Sequence, residues 1–357
     1  MDNHQPQLIR NPYPKAIVRD VVERRGCNAV PLAFCKWWGE GTYEKYGRQL
    51  DLLSVDIPDD VLVASYVTPG EYSSPTGDPD YRWAFSGSPD PSGTSHDARV
   101  QLSDWRDLDT YLAEFPNIDR QDGLFGGTRD FVHAHPDQYI LGHWWYLFYE
   151  RLWAIRGMQN VLMDLIDHPV ELKQLSRAIL DHHIKAIRAF KDCGVDGIFT
   201  SDDLGSQRSL MMSPAIFRRI LKPLYAEIIA ETHSLGMHFW LHACGNISSV
   251  IEDFVEIGLD VIHPIQAHTM DYQAIVDQFG GRISFLVGVD VQHLLPEGDP
   301  EEVRRGVRAI EKIFNRPEGG LLLAAGNGIM PETPLANLRA FLEEAALLGK
   351  NAGSGRG

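Results

Sequence analysis

Short apolar segments alternate with longer amphipathic segments through most of this chain. From residue 139 onward, six apolar runs have the length of buried strands, and apolar residues at helical spacing follow each run after a polar loop. These runs cover residues 139–146, 197–203, 238–244, 260–265, 283–289 and 321–325. The alternation predicts six β/α units, which is typical of a parallel sheet covered by helices.

Small polar residues followed by proline mark the starts of several predicted helices. Ser213-Pro214 and Asp299-Pro300 each combine an N-cap side chain with a proline in the first turn. The first of these pairs predicts one helix that runs to about Gly236. Helices that begin at such positions fit the crossovers that parallel strands need.

Two more apolar runs, residues 28–35 and 61–67, bring the number of predicted strands to eight. Eight β/α units favour a (β/α)₈ TIM barrel over a doubly wound open sheet, which uses the same repeat. We therefore predict a single barrel domain over residues 1–350 and a flexible tail over residues 351–357. Residues 70–125 are rich in Gly, Pro, Ser and Asp and are predicted to form an insertion over the C-terminal face of the barrel.

The chain is acidic and has the composition of an ordinary globular protein. Its 357 residues include 33 Lys+Arg and 49 Asp+Glu, which gives a formal net charge of −16. Such a charge disfavours nucleic acid and anionic membranes as partners. Four cysteines are too few for a disulfide framework in a chain of this length. With no apolar run long enough to span a bilayer and no signal-peptide core, we expect a cytoplasmic protein.

Several common catalytic motifs are missing from the sequence. No predicted strand is followed by GxGxxG or by a Walker phosphate loop, and neither HExxH nor GxSxG occurs. Their absence argues against the commonest nucleotide-binding, zinc-protease and serine-hydrolase activities. The candidate chemistry must therefore come from polar residues at the strand ends.

The motif LHACGN places His242 and Cys244 two positions apart at the end of a predicted strand. Side chains alternate along a strand, so both should point into the barrel, whereas Phe239, Leu241 and Ala243 should face the helices. An imidazole and a thiolate together suit Zn²⁺ or another borderline metal. A partly buried histidine beside a structural cysteine is the alternative, because two ligands alone do not make a metal site.

Other side chains are predicted at the same face, because chemistry in a barrel lies at the C-terminal ends of the strands. Asp202 and Asp203 form a carboxylate pair that can act as acid or base when burial raises a pKa. Successive strand residues point oppositely, so only one of the two should enter the pocket. The substrate-binding candidates are Lys36, Trp37, His143, Trp144, Gln207, His263 and Asn327. The aromatic residues among them suit a flat, largely apolar ligand.

Three segments resemble the uroporphyrinogen decarboxylase superfamily: TSDDLGSQRSLMMSP, LHACGNISSVIEDFVEIGLDVIHPIQ and GNGIMPETPLANLRAF. That superfamily includes zinc-dependent methyltransferases that serve corrinoid proteins. The resemblance extends over about residues 139–348 and implies a (β/α)₈ barrel, in agreement with the strand count. It further implies zinc at His242 and Cys244, a corrinoid carried by a partner protein, and a homodimer.

The sequence departs from the zinc-methyltransferase pattern at the third ligand. In that branch a later Cys, in the loop after the last strand, completes the site, and here the position is Asn327. The more distant cobalamin-independent methionine synthases use a Glu after the next strand, and Gln266 occupies that place. Gln266 is therefore the predicted third metal ligand, and His263, His268 or Asp203 are the substitutes.

The resemblance implies a methyl-transfer enzyme. It would take a methyl group from a small methylated donor, such as an aromatic ether, or pass one between a corrinoid and a thiol. His242 and Cys244 would hold the metal, and Asp202 or Asp203 would handle the proton. The alternatives are a metal-free decarboxylase of a small carboxylic acid and a non-catalytic barrel that binds a ligand. Uroporphyrinogen itself is disfavoured, since the segment PLAFCKWWGEGTYEKYG lacks the arginines that grip its carboxylates.

Overall fold

Seven parallel strands form one sheet in the computed structural model, which describes residues 9–89 and 100–349. The strands are hydrogen-bonded to one another in chain order, so each crossover leads to the neighbouring strand. Their bounds are β1 Val61–Ser65, β2 Tyr139–Trp144, β3 Gly197–Ser201, β4 His238–His242, β5 Val261–Ile265, β6 Ser284–Val289 and β7 Leu321–Ala325. The predicted α/β barrel is confirmed, with one difference at its first strand.

The predicted strand over residues 28–35 is not a regular strand. Only Leu32 forms an isolated parallel bridge, with Leu323 of β7. Pro31 has no N–H to donate to a ladder, and Phe34 has a φ of 56°, so neither side continues as a strand. The segment still joins both edges of the sheet, because Leu323 N–H donates to the Pro31 carbonyl and the first N–H of β1 donates to the Leu32 carbonyl. The barrel therefore closes through a short irregular segment.

Helices surround the sheet and occupy the connections between strands. The α-helices of the described residues are α1 Lys15–Val22, α2 Thr42–Tyr46, α3 Arg48–Asp56, α4 Leu108–Ala113, α5 Gly126–Ala134, α6 Tyr149–Arg156, α7 Met158–Asp167, α8 Pro169–Cys193, α9 Pro214–Ile220, α10 Lys222–Ser234, α11 Ile251–Glu256, α12 Tyr272–Phe279, α13 Leu294–Glu297, α14 Pro300–Phe314 and α15 Leu335–Ala345. Short 3₁₀ helices precede α4, α5 and α11. Within the described ranges, no helix is long and apolar enough to cross a membrane.

The helix starts at Ser213 and Asp299 are confirmed. Each side chain accepts a hydrogen bond from a backbone N–H in the first turn, of α9 and α14 respectively. The single helix predicted between Ser213 and Gly236 was wrong, because the chain forms the two helices α9 and α10 there. Pro223 lacks the N–H that a continuous helix would donate to the carbonyl of Arg219, so the helix breaks near this position.

Strand β4 divides the core into an inner and an outer part. Trp240 is fully buried inside the barrel with Phe199 and Leu286 from other strands. Phe239 and Leu241 pack into the outer core formed with the helices. The predicted alternation is confirmed. The next inward position, at the C-terminal end of β4, is His242.

The described part of the connection between β1 and β2, residues 66–89 and 100–138, lies over the C-terminal ends of these strands. Trp83 and Phe85 from this connection are buried in the main core, so it packs as part of the same domain. Residues 90–99 of the predicted insertion and the predicted tail 351–357 lie outside the described residues. The described part of the connection provides one wall of the cavity at the barrel mouth.

Candidate active site

Asp203, His242 and Cys244 meet at the C-terminal ends of β3 and β4. His242 ends β4 and Cys244 follows two residues later, so both point inward, while Asp203 follows the end of β3. His242 Nε2 lies 3.1 Å from Cys244 Sγ and 3.5 Å from Asp203 Oδ1. One donor atom from each residue lies within 4.8 Å of the others. A carboxylate, an imidazole and a thiol at this spacing can act as three metal donors.

A second histidine determines which nitrogen of His242 is free. His263 Nε2 lies 3.3 Å from the carbonyl oxygen of Ala325, which can only accept, so this nitrogen carries the proton. Burial lowers the pKa of His263 well below its usual value and keeps the ring neutral, so its Nδ1 accepts from His242 Nδ1–H at 2.7 Å. His242 Nε2 therefore presents a lone pair toward Cys244 and Asp203. The predicted substrate residue His263 thus lies behind His242 and orients it.

The Cys244 sulfur lies beside Asp203 and Asn327 as well as His242. Burial, reinforced by the carboxylate of Asp203, raises the pKa of the thiol far above its usual value. The Cys244 N–H donates to Asp203 Oδ1 at 2.9 Å, which keeps the carboxylate beside the sulfur. Asn327 Nδ2 donates to the sulfur at 3.5 Å, while its Oδ1 accepts from the Gly328 N–H at 2.7 Å. Asn327 therefore reaches the site as a hydrogen-bond donor, and its amide oxygen is bonded to backbone.

The two consecutive aspartates have different surroundings. Asp202 is completely buried, and its carboxylate accepts from the backbone N–H groups of residues 148–150 and from the Tyr225 hydroxyl. Burial raises the pKa of Asp202 to about 6, although these hydrogen bonds oppose the shift. Asp202 thus anchors the N-terminus of α6, and Asp203 is the member of the pair that faces His242.

Glu150 is a buried carboxyl group that the sequence analysis missed. It lies in the first turn of α6, is 4% exposed, and accepts a hydrogen bond from the Ser201 hydroxyl. Burial, reinforced by the charges of Asp203 and Asp202, raises the pKa of Glu150 to about 9. It is therefore a neutral acid at pH 7 beside the site. A glutamate in the first turn of a helix is usually a surface residue, so no sequence signal marked it.

Two tryptophans cover His242. The rings of Trp37 and Trp145 stack with centroids 5.4 Å apart, and each meets the His242 ring edge-on, at 5.7 and 5.9 Å. Trp37 was among the predicted residues and Trp145 was not. The predicted Trp144 packs outward, with its ring stacked on His183 at 5.1 Å. Strand alternation explains why Trp145, and not Trp144, contacts His242: Trp145 follows β2 directly, and its side chain points to the side opposite to that of Trp144.

A cavity of about 350 Å³ lies beside Trp145, between the C-terminal ends of β1 and β2. This volume is at the lower end of the range for small-molecule sites. The cavity is lined by Ser65, Tyr66, Thr68, Pro69, Glu71, Trp83, His143, Trp144, Trp145, Tyr146, Arg151 and His183. Two predicted substrate residues, His143 and Trp144, are among them. Burial, with a smaller effect of His242, lowers the pKa of His143 to about 4, so its ring is neutral at pH 7.

Three other sequence candidates have different surroundings. The Lys36 ammonium pairs with Asp59, which precedes β1, at 2.6 Å. Gln266 Oε1 accepts from the Gly245 N–H at 3.4 Å, so it borders the loop that carries Cys244 with its oxygen bonded to backbone. Gln207 is exposed on the loop after β3. Lys36 and Gln266 therefore each bond to another part of the protein.

A second group of metal-capable side chains lies on the surface: His268, Asp290 and His293. Burial raises the pKa of Asp290, but its bonds to backbone N–H groups, including those of Gln292 and His293, outweigh this and lower it. Both histidines are more than half exposed. This arrangement braces a loop, and its spacing alone does not indicate a ligand.

A divalent metal fits the donor atoms of Asp203, His242 and Cys244. The imidazole offers an unprotonated Nε2, and the thiol and the carboxylate supply anionic ligands when both are deprotonated. Three protein ligands with a fourth position open to substrate are typical of catalytic zinc. The neutral Glu150 beside the group adds no further charge until it ionises.

Comparisons with known proteins identify related chains. A family model described as uroporphyrinogen decarboxylase (URO-D) matches residues 153–347. The methylcobamide:CoM methyltransferase MtaA of Methanosarcina barkeri is 25% identical over 155 residues, which are 43% of this chain and 42% of that protein. A methylated-thiol–coenzyme M methyltransferase of Methanosarcina mazei is 24% identical over 188 residues, 53% of this chain and 48% of that protein. The chain thus spans less than half the length of these curated relatives.

A solved structure, described as a methyltransferase from Methanosarcina mazei, has the same fold. It matches with a TM-score of 0.62 at 16% identity and covers 94% of this chain and 98% of its own. The family match includes β3 to β7 and the loops that carry Asp203, His242 and Cys244. Because this match extends over more than half of the residues, the chain belongs to the uroporphyrinogen decarboxylase family.

Proposed function

We propose that this protein is a methyl-transfer enzyme in which zinc is held by His242, Cys244 and Asp203. The observation that carries the proposal is the approach of their three donor atoms to within 4.8 Å. The names of the relatives, which give methylcobamide, CoM and methylated thiols as reactants, support this reaction class. Asp203 takes the place of the predicted ligand Gln266, whose amide oxygen already accepts a backbone hydrogen bond.

The methyl group moves between a corrinoid, carried by a partner protein, and a sulfur or oxygen atom of a small substrate. In the thiol direction, a thiol and a methylcorrinoid give a methyl thioether, a proton, and a corrinoid that keeps the electron pair of the broken cobalt–carbon bond. Demethylation of a methylated donor is the reverse exchange. Bound zinc supplies a Lewis acid that lowers the pKa of the substrate atom.

The chain's own residues prepare this site. His263 holds the His242 ring with Nε2 toward the other donors, and the Cys244 N–H holds the Asp203 carboxylate. Trp37 and Trp145 cover His242 and limit its contact with water. Asn327 is exposed at the rim, so the site opens to solvent on that side.

Methyl transfer from free methylcobalamin to a thiol tests the proposal, because the loss of the methyl group changes the corrinoid absorbance. Zinc-loaded protein should catalyse the transfer, and chelated protein and the Cys244→Ala variant should not. Cys193→Ala removes a different buried thiol and should retain activity. Decarboxylation that survives chelation, or ligand binding without turnover by the zinc-loaded protein, would overturn the proposal.

A further inference from the structure

The cavity beside Trp145 contains a buried cation with an unused hydrogen-bond donor. Arg151 is 5% exposed, and its guanidinium lies over the rings of Trp83 at 4.1 Å and Tyr146 at 5.2 Å. One terminal nitrogen donates to Glu71 at 2.8 Å. Its Nε is buried and has no hydrogen-bond partner among residues 9–89 and 100–349. Since an unpaired buried donor is unfavourable, Arg151 is prepared for an acceptor that the described residues do not supply.

A second unused polar atom lies in the wall of the same cavity. His143 Nδ1 is 3.0 Å from the Ser65 hydroxyl, which fixes the ring. Its Nε2 is buried and has no partner in the described part of the chain. The neutral imidazole can donate or accept at this atom, depending on its tautomer. The cavity therefore presents a cationic donor and a neutral polar atom among aromatic rings.

The backbone of Tyr146 is held in an unusual conformation beside these groups. Its φ is 69°, in the left-handed region that a bulky residue rarely adopts, and its N–H donates to the Ser201 hydroxyl at 3.1 Å. Such conformations persist where the surroundings impose them, and they concentrate at ligand sites. The effect here is to place a phenol ring on Arg151, next to Trp145, which also contacts His242.

We propose that this cavity binds a planar aromatic molecule with a single carboxylate, and that this molecule is the small substrate of methyl transfer. The substrate ring lies against the tryptophan and tyrosine rings, and its carboxylate accepts hydrogen bonds from Arg151. Its methyl-bearing atom lies on the Trp145 side, toward His242. This inference rests on the proposed function for the reaction, whereas binding of the acid does not depend on the metal.

The surroundings of Arg151 select among possible ligands. Glu71 already pairs with the guanidinium, so a second negative charge on the ligand would be repelled, and the net charge of −16 adds to this effect. A neutral ligand would leave the Arg151 Nε without a charged acceptor. An aliphatic acid would pair with Arg151 but would offer no flat ring to the tryptophan and tyrosine rings that line the cavity.

Binding of three matched probes tests the chemistry of the ligand. The probes are para-methoxybenzoate, the neutral para-methoxybenzamide of the same shape, and 4-methoxycyclohexanecarboxylate, which has the same charge and substituent on a non-planar ring. Calorimetry and quenching of tryptophan fluorescence would measure each Kd. We expect para-methoxybenzoate to bind at least about tenfold more tightly than either of the others. Equal affinity for the acid and the amide, or for the planar and the non-planar acid, would overturn the proposal.

Variants locate the carboxylate. Arg151→Lys keeps the charge but loses the planar guanidinium, so it should weaken para-methoxybenzoate about tenfold and the amide little. The matched control is Arg156→Lys on the same helix: Arg156 is 4% exposed, lies over Trp105 at 4.0 Å, and pairs with Asp164. The control should lose similar thermal stability and keep its affinity for the acid. Equal effects of the two variants on this affinity would contradict the placement.

A second variant keeps the test decisive if Arg151→Lys does not fold. Glu71 is partly exposed and competes for the guanidinium, so Glu71→Gln should tighten para-methoxybenzoate several-fold and leave the amide unchanged. No change in the ratio of the two affinities would refute a carboxylate at Arg151.

Metal-free Cys244→Ala separates this inference from the proposed function. If this variant still binds para-methoxybenzoate and zinc-loaded wild type shows no methyl transfer, the assignment of the cavity stands and the proposed function is refuted. If zinc-loaded wild type transfers methyl groups to simple thiols but the protein binds no aromatic acid, the proposed function stands and the assignment of the cavity is refuted.

Discussion

The chemistry available to His242 depends on its neighbour His263. The Ala325 carbonyl fixes the proton on His263 Nε2, and this in turn fixes the proton on His242 Nδ1. A metal-binding histidine commonly needs such a partner to hold its tautomer and its ring orientation. The metal affinity of the site should therefore depend on a residue that does not itself bind the metal.

We predict that His263→Leu lowers the zinc affinity about 10–100-fold. The substitution leaves His242 Nδ1 without its acceptor and lets the ring turn. His238→Leu is the control, since His238 is also buried but bonds to Tyr139 and Glu23 at the N-terminal end of β4. Competition with a chromophoric chelator measures both affinities, and an unchanged value for His263→Leu would refute the tautomer assignment.

Glu150 should make the stability of the metal-free protein depend on pH. Its pKa is about 9 in the folded chain against an ordinary value of 4.5. The folded state therefore holds this proton more tightly than the unfolded state, and the free energy of unfolding falls as pH rises between those two values.

Glu150→Gln removes this ionisation. The stability of the variant relative to wild type should increase from about pH 5 to about pH 9, because wild type alone loses stability there. Urea unfolding of both metal-free proteins across this range measures the difference. Parallel pH profiles would show that Glu150 is not the buried acid described here.

At the scale of elements, β3 is followed by two aspartates, of which one is structural and the other belongs to the candidate site. Asp202 joins the N-terminus of α6 to Tyr225 of α10, whereas Asp203 faces His242. Both residues follow the last residue of β3, Ser201, and their side chains have different partners, so the two consecutive aspartates have different roles.

Asp202→Ala should destabilise the protein by about 3 kcal/mol, from the loss of the helix cap and the unpaired Tyr225 hydroxyl. Asp203→Ala is the adjacent control and should cost less than about 1 kcal/mol while it lowers the zinc affinity. Denaturant unfolding and metal titration of the two variants measure both effects. A larger loss of stability in Asp203→Ala would reverse the assignment.

Local patterns predict the elements well and some of the site. The strand alternation at LHACGN places His242 and Cys244 inward, and the structure agrees, because a period of two needs only neighbouring residues. The irregular segment around Pro31 and the helix break at Pro223 were missed, although both prolines stand in the sequence. In each case a missing N–H outweighs the apolar pattern.

The rest of the candidate site could not be read from local patterns. Glu150 and Arg151 lie in an aromatic run at the start of a helix, where charged residues usually face solvent. Their burial follows from contacts with Ser201 and Glu71, which are about 50 and 80 positions away in the chain. Such contacts depend on how the connection between β1 and β2 lies over the barrel, and no periodicity encodes that.

At the scale of the whole molecule, the proposed metal links adjacent strand ends. Zinc bound to Asp203, His242 and Cys244 would join the loops after β3 and β4, so metal binding and folding should be coupled. Zinc at about a hundredfold excess over its Kd should stabilise the folded protein by about 2.7 kcal/mol. Thermal unfolding with and without zinc measures this shift, which should vanish in Cys244→Ala. An equal shift in that variant would place the zinc elsewhere.

The zinc content of the purified protein tests the central claim most directly. Elemental analysis by mass spectrometry should be made on wild type, Cys244→Ala and, as a control, Cys193→Ala, after reconstitution under reducing conditions. We predict about one zinc per chain in wild type and in Cys193→Ala, and a much lower content in Cys244→Ala. No zinc in wild type, or the same content in Cys244→Ala, would contradict a metal centre at Asp203, His242 and Cys244.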